Sequence, residues 1–299
     1  MLNNSTLISI ALCTYNGERF IRQQLDSLLA QTYNFIEIIV VDDCSNDQTV
    51  AIIKEYQIKH ATIKFFSNTQ NLGFNKNFER AISYCTGEYI AICDQDDIWY
   101  PEKIEVLYQA IGNNWLVFSN STYIDHQNKN LGKELLPNFT LQNKTFKSLL
   151  LYNYVTGHTT LFHKSFLSNV LPLPASDYYD WWIGFVAMYH HKIVYCDRVL
   201  TKYRIHEQSF IQHKNTQAIL SEIHAKETLN HLRQIKTYPK LTEDDHLFIR
   251  NLLIGFTSQR LKLVRLVFHY YAELFPDLKK RNGLSLLNFA IKYAYKKAF

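Results

Sequence analysis

The chemistry of this chain is concentrated where Tyr89-Ile90-Ala91-Ile92-Cys93 runs into Asp94-Gln95-Asp96-Asp97-Ile98-Trp99. An apolar run that reads as a buried strand ends in three carboxylates. Acids this close repel one another unless positive charge sits among them, and a hard divalent cation with oxygen ligands supplies it. Such a cation keeps anionic company, for which a nucleotide diphosphate is suited. The segment therefore reads either as a metal–diphosphate site or as a solvated acidic turn capping a helix that starts near Pro101. Asp42-Asp43 end a second apolar run, Phe35–Val41, and Thr14-Tyr15-Asn16 follow a first, Leu7–Cys13. In open α/β sheets ligands bind at the carboxyl ends of strands, so these separate segments would converge on one acidic crevice.

The elements that must position them alternate. Continuous apolar runs at Leu7–Cys13, Phe35–Val41, Thr62–Phe66 and Glu88–Cys93 are strands covered on both faces. Between them, residues 18–30, Asp47–Lys59 (capped by Ser45 or Asn46) and Phe74–Tyr84 carry helical signals, and Pro101–Ile111 opens with Pro at a helix start. This rhythm predicts an α/β fold with a largely parallel sheet flanked by helices. Trp115–Ser119 adds a strand, and residues 120–145 read as polar surface loops. Short elements follow at Phe146–Tyr154, Thr159–His163, Asp180–His191, Ile193–Cys196 and Val199–Arg204. From about residue 215 the pattern is helical. The expected division is 1–212 and a helical extension, 213–299, with the first part split into halves 1–118 and 119–212.

Composition bounds the class. The 299 residues, 47% apolar and 20% charged, suit a globular protein with an ample core. The net charge of +5 is uneven, because Arg260 to the end holds nine Lys/Arg against two Asp/Glu. That basic tail favours an anionic partner surface. Five cysteines without CxxC spacing read as buried thiols in a reducing compartment. No signal sequence and no run of about 18 apolar residues is evident, so a cytoplasmic protein is expected.

Ala11-Leu12-Cys13-Thr14-Tyr15-Asn16-Gly17, Val40-Val41-Asp42-Asp43-Cys44-Ser45-Asn46-Asp47, Asn71-Leu72-Gly73 and Asp94–Asp97 occur in an order and spacing that resembles the inverting family-two glycosyltransferases of GT-A fold. The likeness covers roughly residues 5–210. Asp94-Gln95-Asp96-Asp97-Ile98-Trp99, Tyr179-Asp180-Trp181-Trp182 and Tyr203-Arg204-Ile205-His206 are similar to members described as rhamnosyltransferases. The resemblance implies a Rossmann-like mixed, mostly parallel sheet with a C-terminal helical extension. It implies transfer of one sugar from a nucleotide-diphosphate donor, dTDP-rhamnose or a UDP-hexose, to a hydroxyl of a bacterial surface glycan such as lipopolysaccharide or capsule.

It also implies roles. Thr14, Tyr15, Asp43, Lys76, Asp94, Gln95 and Asp96 would face the nucleotide-sugar, with Tyr15 against the base. Asp96, as the second acid of a DXD motif, and His206 would hold Mn2+ or Mg2+. Asp180 would be the catalytic base that takes the acceptor hydroxyl's proton, with Asp177 as its rival. His158, Trp181 and Trp182 would line the acceptor side, although for the tryptophans a core position competes.

Two other classes stay open. One is a non-catalytic sugar-nucleotide or glycan-binding relative; the other is a sugar nucleotidyltransferase, for which residues 12–20 offer no glycine-rich triphosphate loop. The absence of Walker A, GxGxxG and GxSxG sequences disfavours phosphotransferase, dinucleotide and hydrolase readings, and no nucleic-acid partner is expected. The basic, apolar-spaced segments Arg260–Phe268 and Leu284–Phe299 suit peripheral contact with the inner face of the cytoplasmic membrane, near a lipid-linked acceptor. Packing on the catalytic domain or on a second subunit is the competing reading.

Overall fold

The computed structural model describes residues 6–175, 178–206 and 217–297. The expected boundary at 212/213 and the rival acid Asp177 lie outside the described residues. The chain separates into two compact units: Met1–Leu141 with Val155–Ala175 and Val186–Glu207, and Gln142–Tyr154 with Ser176–Phe185 and Gln208–Phe299.

The first unit is built on one sheet, nine-stranded among the described residues. Its strands are β1 (Ile8–Thr14), β2 (Ile36–Asp42), β3 (Ile63–Ser67), β4 (Tyr89–Cys93), β5 (Ile98–Trp99), β6 (Leu116–Ile124), β7 (Asn130–Glu134), β8 (Thr160–His163) and β9 (Ile193–Arg204). They lie in the order β3-β2-β1-β4-β8-β6-β9-β5, with β7 against β6. The β3-β2-β1-β4 half and the β6–β9 pair are parallel, while β8 runs antiparallel to both of its neighbours. The sheet is thus mixed and mostly parallel. Ile8, Ile10, Leu12, Ile38, Val40, Ala91 and Cys93 form its dry centre. Helices α1 (Ile21–Leu29), α2 (Thr49–Lys59), α3 (Phe74–Tyr84) and α4 (Lys103–Ile111) bury apolar stripes, as in Ile21, Leu25 and Leu28 of α1. Each such side chain stabilises the fold by roughly 1.5–3 kcal/mol.

Several local expectations are corrected. β6 runs on to Ile124 through Ser119, Asn120, Ser121 and Thr122, all buried, and β7 occupies part of the supposed loop region 120–145. Polar residues fit inside because partners satisfy them. The Asn120 amide donates to Glu134 and accepts from the Ser121 and Leu136 N–H groups. The two runs before His206 are one strand, its ladder shifted between Cys196 and Thr201. Neither Ser45 nor Asn46 caps α2; Asp47 Oδ1 accepts from the Thr49 N–H at 2.9 Å. Pro101 and Glu102 form a turn ahead of α4.

At the amino end of β2, Glu37 is buried and accepts from Ser9 Oγ, Lys64 Nζ and Thr86 N and Oγ1. Burial alone would raise its pKa. The bonds from Lys64, Ser9 and Thr86 outweigh it and hold Glu37 down at about 2.

In the second unit lie α6 (Gln217–Ile235), α7 (Glu243–Thr257), α8 (Arg260–His269) and α9 (Gly283–Lys297), together with the opening turns of α5 (Tyr179–Tyr189). Thr242 caps α7, its Oγ1 accepting from the Asp245 N–H at 3.2 Å and donating to Asp245 Oδ2 at 2.6 Å. A Cβ at Gly255 would meet Leu263 at 2.9 Å, so α7 and α8 approach closely there. Lys144 pairs with Asp277, and Lys147 with Glu273 at 2.6 Å, fastening segment 142–154 to the helices.

Candidate active site

The carboxyl ends of β1 and β2, paired through Thr14 and Asp42, are laced together further by side-chain hydrogen bonds. Asp42, fully buried, accepts from Thr14 Oγ1, Ser45 Oγ and the Ser45 N–H. Asn16, at φ 48°, donates its N–H to Ser45 Oγ, and its side-chain Oδ1 accepts from the Asn46 N–H. Asp43 is also buried, and its two oxygens accept from Asn68 Nδ2 and the N–H groups of Leu72 and Gly73. It therefore shapes the Asn71–Gly73 loop directly. Lys76, on α3, pairs with Glu79 at 3.0 Å.

Gln95 reaches from the end of β4 and pairs with the main chain of Tyr15, accepting from its N–H at 2.8 Å and donating to its carbonyl at 2.9 Å. Gly17 makes room for it, since a Cβ there would lie 2.2 Å from Gln95 Oε1. With its main chain held in this clamp, Tyr15 is 45% exposed.

The acidic loop divides by burial. Asp96 Oδ2 lies 2.8 Å from His206 Nε2, so the two expected cation ligands do meet. Phe20 packs beside His206, with ring centroids 4.9 Å apart. The Asp94 and Asp96 side chains are 36% and 22% exposed, whereas Asp97 is sealed. Asp97 Oδ1 accepts from the Arg204 N–H at 3.0 Å, so Asp97 belongs to the sheet interior and caps no helix. Among the described residues its Oδ2 has no hydrogen-bond partner, and it faces His158 Nδ1, likewise unpartnered there, at 3.8 Å. Burial, with Asp96 and Asp94 adding repulsion, drives the Asp97 pKa well above the ordinary carboxylate range. Burial and nearby Lys103 hold His158 well below its usual value. His158 is therefore neutral, and its approaches to Asp94 and Asp97 are dipolar.

His158 was expected on the acceptor side. It is fully buried instead, bonded to Ser121 Oγ at 2.8 Å and stacked on Tyr203 at 4.5 Å. The two tryptophans are likewise core residues and not an exposed sugar platform. Trp181 donates to the Leu149 carbonyl at 2.6 Å and stacks on His231, while Trp182 meets the Tyr238 ring edge-on. Asp180 opens α5, with Oδ1 accepting from Asn153 Nδ2 and the Trp181 N–H.

Two cations escaped the sequence reading. Arg204 is buried and donates to the Asp96 and Asp125 carbonyls, Asn128 and Gln23, with its guanidinium 4.5 Å from the Phe20 ring centroid. Lys103, fully buried, donates to the His158 carbonyl at 2.5 Å and Thr201 Oγ1 at 2.8 Å, and lies 3.5 Å from the Trp99 ring centroid. Burial lowers its pKa. One signal for Lys103 was present: it falls on the same four-residue spacing as Leu107 and Ile111, the buried stripe of α4.

The donor set suits a hard divalent cation. Ligand atoms of Asp94, Asp97 and His158 lie within 4.8 Å of one another, and two of them lack hydrogen-bond partners among the described residues. A cation sealed between Asp97 and His158 would be cut off from any diphosphate. Asp96 and His206, outside that cluster, lie nearer solvent, with side chains 22% and 9% exposed.

Over residues 9–171 the chain matches the family described as Glycosyl transferase family 2. An uncharacterised glycosyltransferase of Methanocaldococcus jannaschii is 35% identical over 208 residues, 67% of this chain and 71% of that protein. An Escherichia coli protein named UDP-Glc:alpha-D-GlcNAc-diphosphoundecaprenol beta-1,3-glucosyltransferase is 30% identical over 212 residues, 70% of this chain and 81% of that protein. Among solved structures, S. aureus TarS in complex with UDP-GlcNAc matches with a TM-score of 0.63 at 17% identity, covering 98% of this chain and 88% of the other. A Pyrobaculum calidifontis mannosyltransferase in complex with GDP-Man and Mn2+ matches at 0.57 and 15% identity, covering 97% and 79%. The two structures share the GT-A fold with this sheet, and the family match spans more than half of the sequence: the chain belongs to glycosyl transferase family 2.

Proposed function

We propose that this protein is a metal-dependent inverting glycosyltransferase that moves one sugar from a nucleotide-diphosphate donor to a hydroxyl of a bacterial surface glycan. The observation that carries the reading is the meeting of Asp96 with His206 at 2.8 Å, at the strand ends that also present Tyr15. Asp96 and His206 would hold Mn2+ or Mg2+ against the donor's diphosphate. When bound, the ion offsets the negative charge that develops on the leaving diphosphate. Tyr15 would stack on the base, while Thr14, Asp43 and Gln95 would shape the nucleotide cradle and Lys76 would border it. Arg204 fixes the acidic loop through the Asp96 carbonyl, and Lys103 braces His158.

Asp180 is the base in this reading. Its carboxylate would accept the acceptor hydroxyl's proton as that oxygen attacks the anomeric carbon and the diphosphate departs from the opposite face. Asn153 and the Trp181 N–H orient it, and its place at a helix start favours the ionised form. The Escherichia coli relative supports a UDP-hexose donor; the rhamnosyl-like motifs support dTDP-rhamnose.

The test is a thermal-shift series with UDP, dTDP, GDP and CDP, each with and without Mn2+. A metal-dependent rise with one nucleotide supports the site and names the donor class. No shift with any of them on folded protein removes the metal–nucleotide reading and brings forward the non-catalytic binding protein.

A further inference from the structure

The last helix presents two unlike faces. Ala290 and Ala294 are buried, and Tyr293 packs against Phe275 and Phe256. Leu284, Leu287, Ile291 and Tyr295 recur at helical spacing along the other side and are exposed, Leu284 at 84%. The neighbouring helix α8 repeats the pattern, with Leu261 (71% exposed) and Phe268 flanking exposed Arg265. Basic groups border this apolar strip. The Arg260 guanidinium lies 5.5 Å from the Tyr295 ring centroid, Lys292 is exposed on α9, and Lys279-Lys280-Arg281 are exposed just ahead of it. No helix among the described residues is long and apolar enough to cross a membrane.

We propose that this strip is an interfacial docking surface for an anionic lipid leaflet, in which Leu284, Leu287, Ile291, Tyr295 and Leu261 enter the headgroup boundary and the surrounding Lys and Arg meet lipid phosphates. Charge selects the occupant. Residues 260–299 carry nine basic and two acidic side chains, so a second copy docking by the same surface would bring like charges together. A negatively charged leaflet complements them. The structure also chooses the side: Ala290, Tyr293 and Ala294, apolar in sequence, face inward and take no part.

Flotation of the full chain with phosphatidylcholine vesicles, with and without phosphatidylglycerol, tests this independently of the transferase reading. Binding is expected with phosphatidylglycerol present, is lost in its absence and falls as salt rises. Ile291→Asp should abolish flotation while leaving the thermal midpoint unchanged. Lys279→Ser, Lys280→Ser and Arg281→Ser together should weaken partitioning on the order of 10²-fold, at about fivefold per charge. Absence of flotation with phosphatidylglycerol overturns the proposal. So does equal binding to neutral vesicles, or a dimer that Ile291→Asp dissociates. Metal-dependent nucleotide shifts would persist in every variant, so failure here is distinguishable from failure of the transferase reading.

Discussion

The crevice of the first unit and the outer face of α8 and α9 handle polarity in opposite ways. Around the crevice, charged and polar groups are buried and tied down: Asp42, Asp43, Asp97, Lys103 and Arg204 are all sealed in, most of them through several hydrogen bonds. On the helical face, leucines and an isoleucine stand in water among exposed cations. A buried polar network fixes geometry, because each member left unpaired costs about 1–3 kcal/mol. An exposed apolar strip fixes nothing in its own fold. Substitutions should therefore damage the first region through geometry or chemistry, and the second only through what it contacts.

The largest effect is expected at Asp180. Asp180→Asn keeps the shape but removes the proton acceptor, so turnover should fall by ~10²–10⁴-fold with donor affinity unchanged. Steady-state kinetics alongside nucleotide titration decide it, and unaltered turnover would remove the base assignment. Next is Arg204→Met, which strands the Asp96 and Asp125 carbonyls. We expect a loss of about 3 kcal/mol in urea unfolding, together with the Mn2+-dependent nucleotide shift; full stability would show that the loop holds itself.

Gly17→Ala is milder. Its Cβ must displace Gln95, releasing the Tyr15 main chain. Nucleotide affinity should drop by roughly tenfold, with unfolding changed by only about 1 kcal/mol. Glu37 offers a pH test away from the crevice. Its folded-state pKa is depressed, so its contribution is complete above the unfolded value and disappears as pH falls from about 4.5 to about 2. Glu37→Gln should flatten the acid limb of the stability curve over that window. The smallest change in stability, within about 0.5 kcal/mol, is expected for Ile291→Asp. A larger loss would mean that this face is packed against protein, which would collapse the contrast between the two regions.

Periodicity alone located α3 (Phe74–Tyr84) and placed β1, β2 and β4 to within a residue or so, because continuous apolar runs admit few alternatives. It failed at the end of β6, where Asn120–Thr122 look like loop residues until Glu134 and Leu136 are seen to satisfy Asn120. It also divided β9, since an irregular ladder interrupts the pattern that defines a strand.

The same limit holds at the site. Residue type and order determined that acids gather at strand ends and that Tyr15, Asp96 and His206 belong there, because covalent sequence fixes which side chains follow each strand. Tertiary structure decided which acids are sealed and which face solvent. It turned His158, Trp181 and Trp182 inward, and it set Arg204 against the Asp96 carbonyl and Lys103 against that of His158. Hydrogen-bond partnership depends on segments about a hundred residues apart, as for Arg204 with Asp96 and Lys103 with Thr201, and no local pattern encodes it.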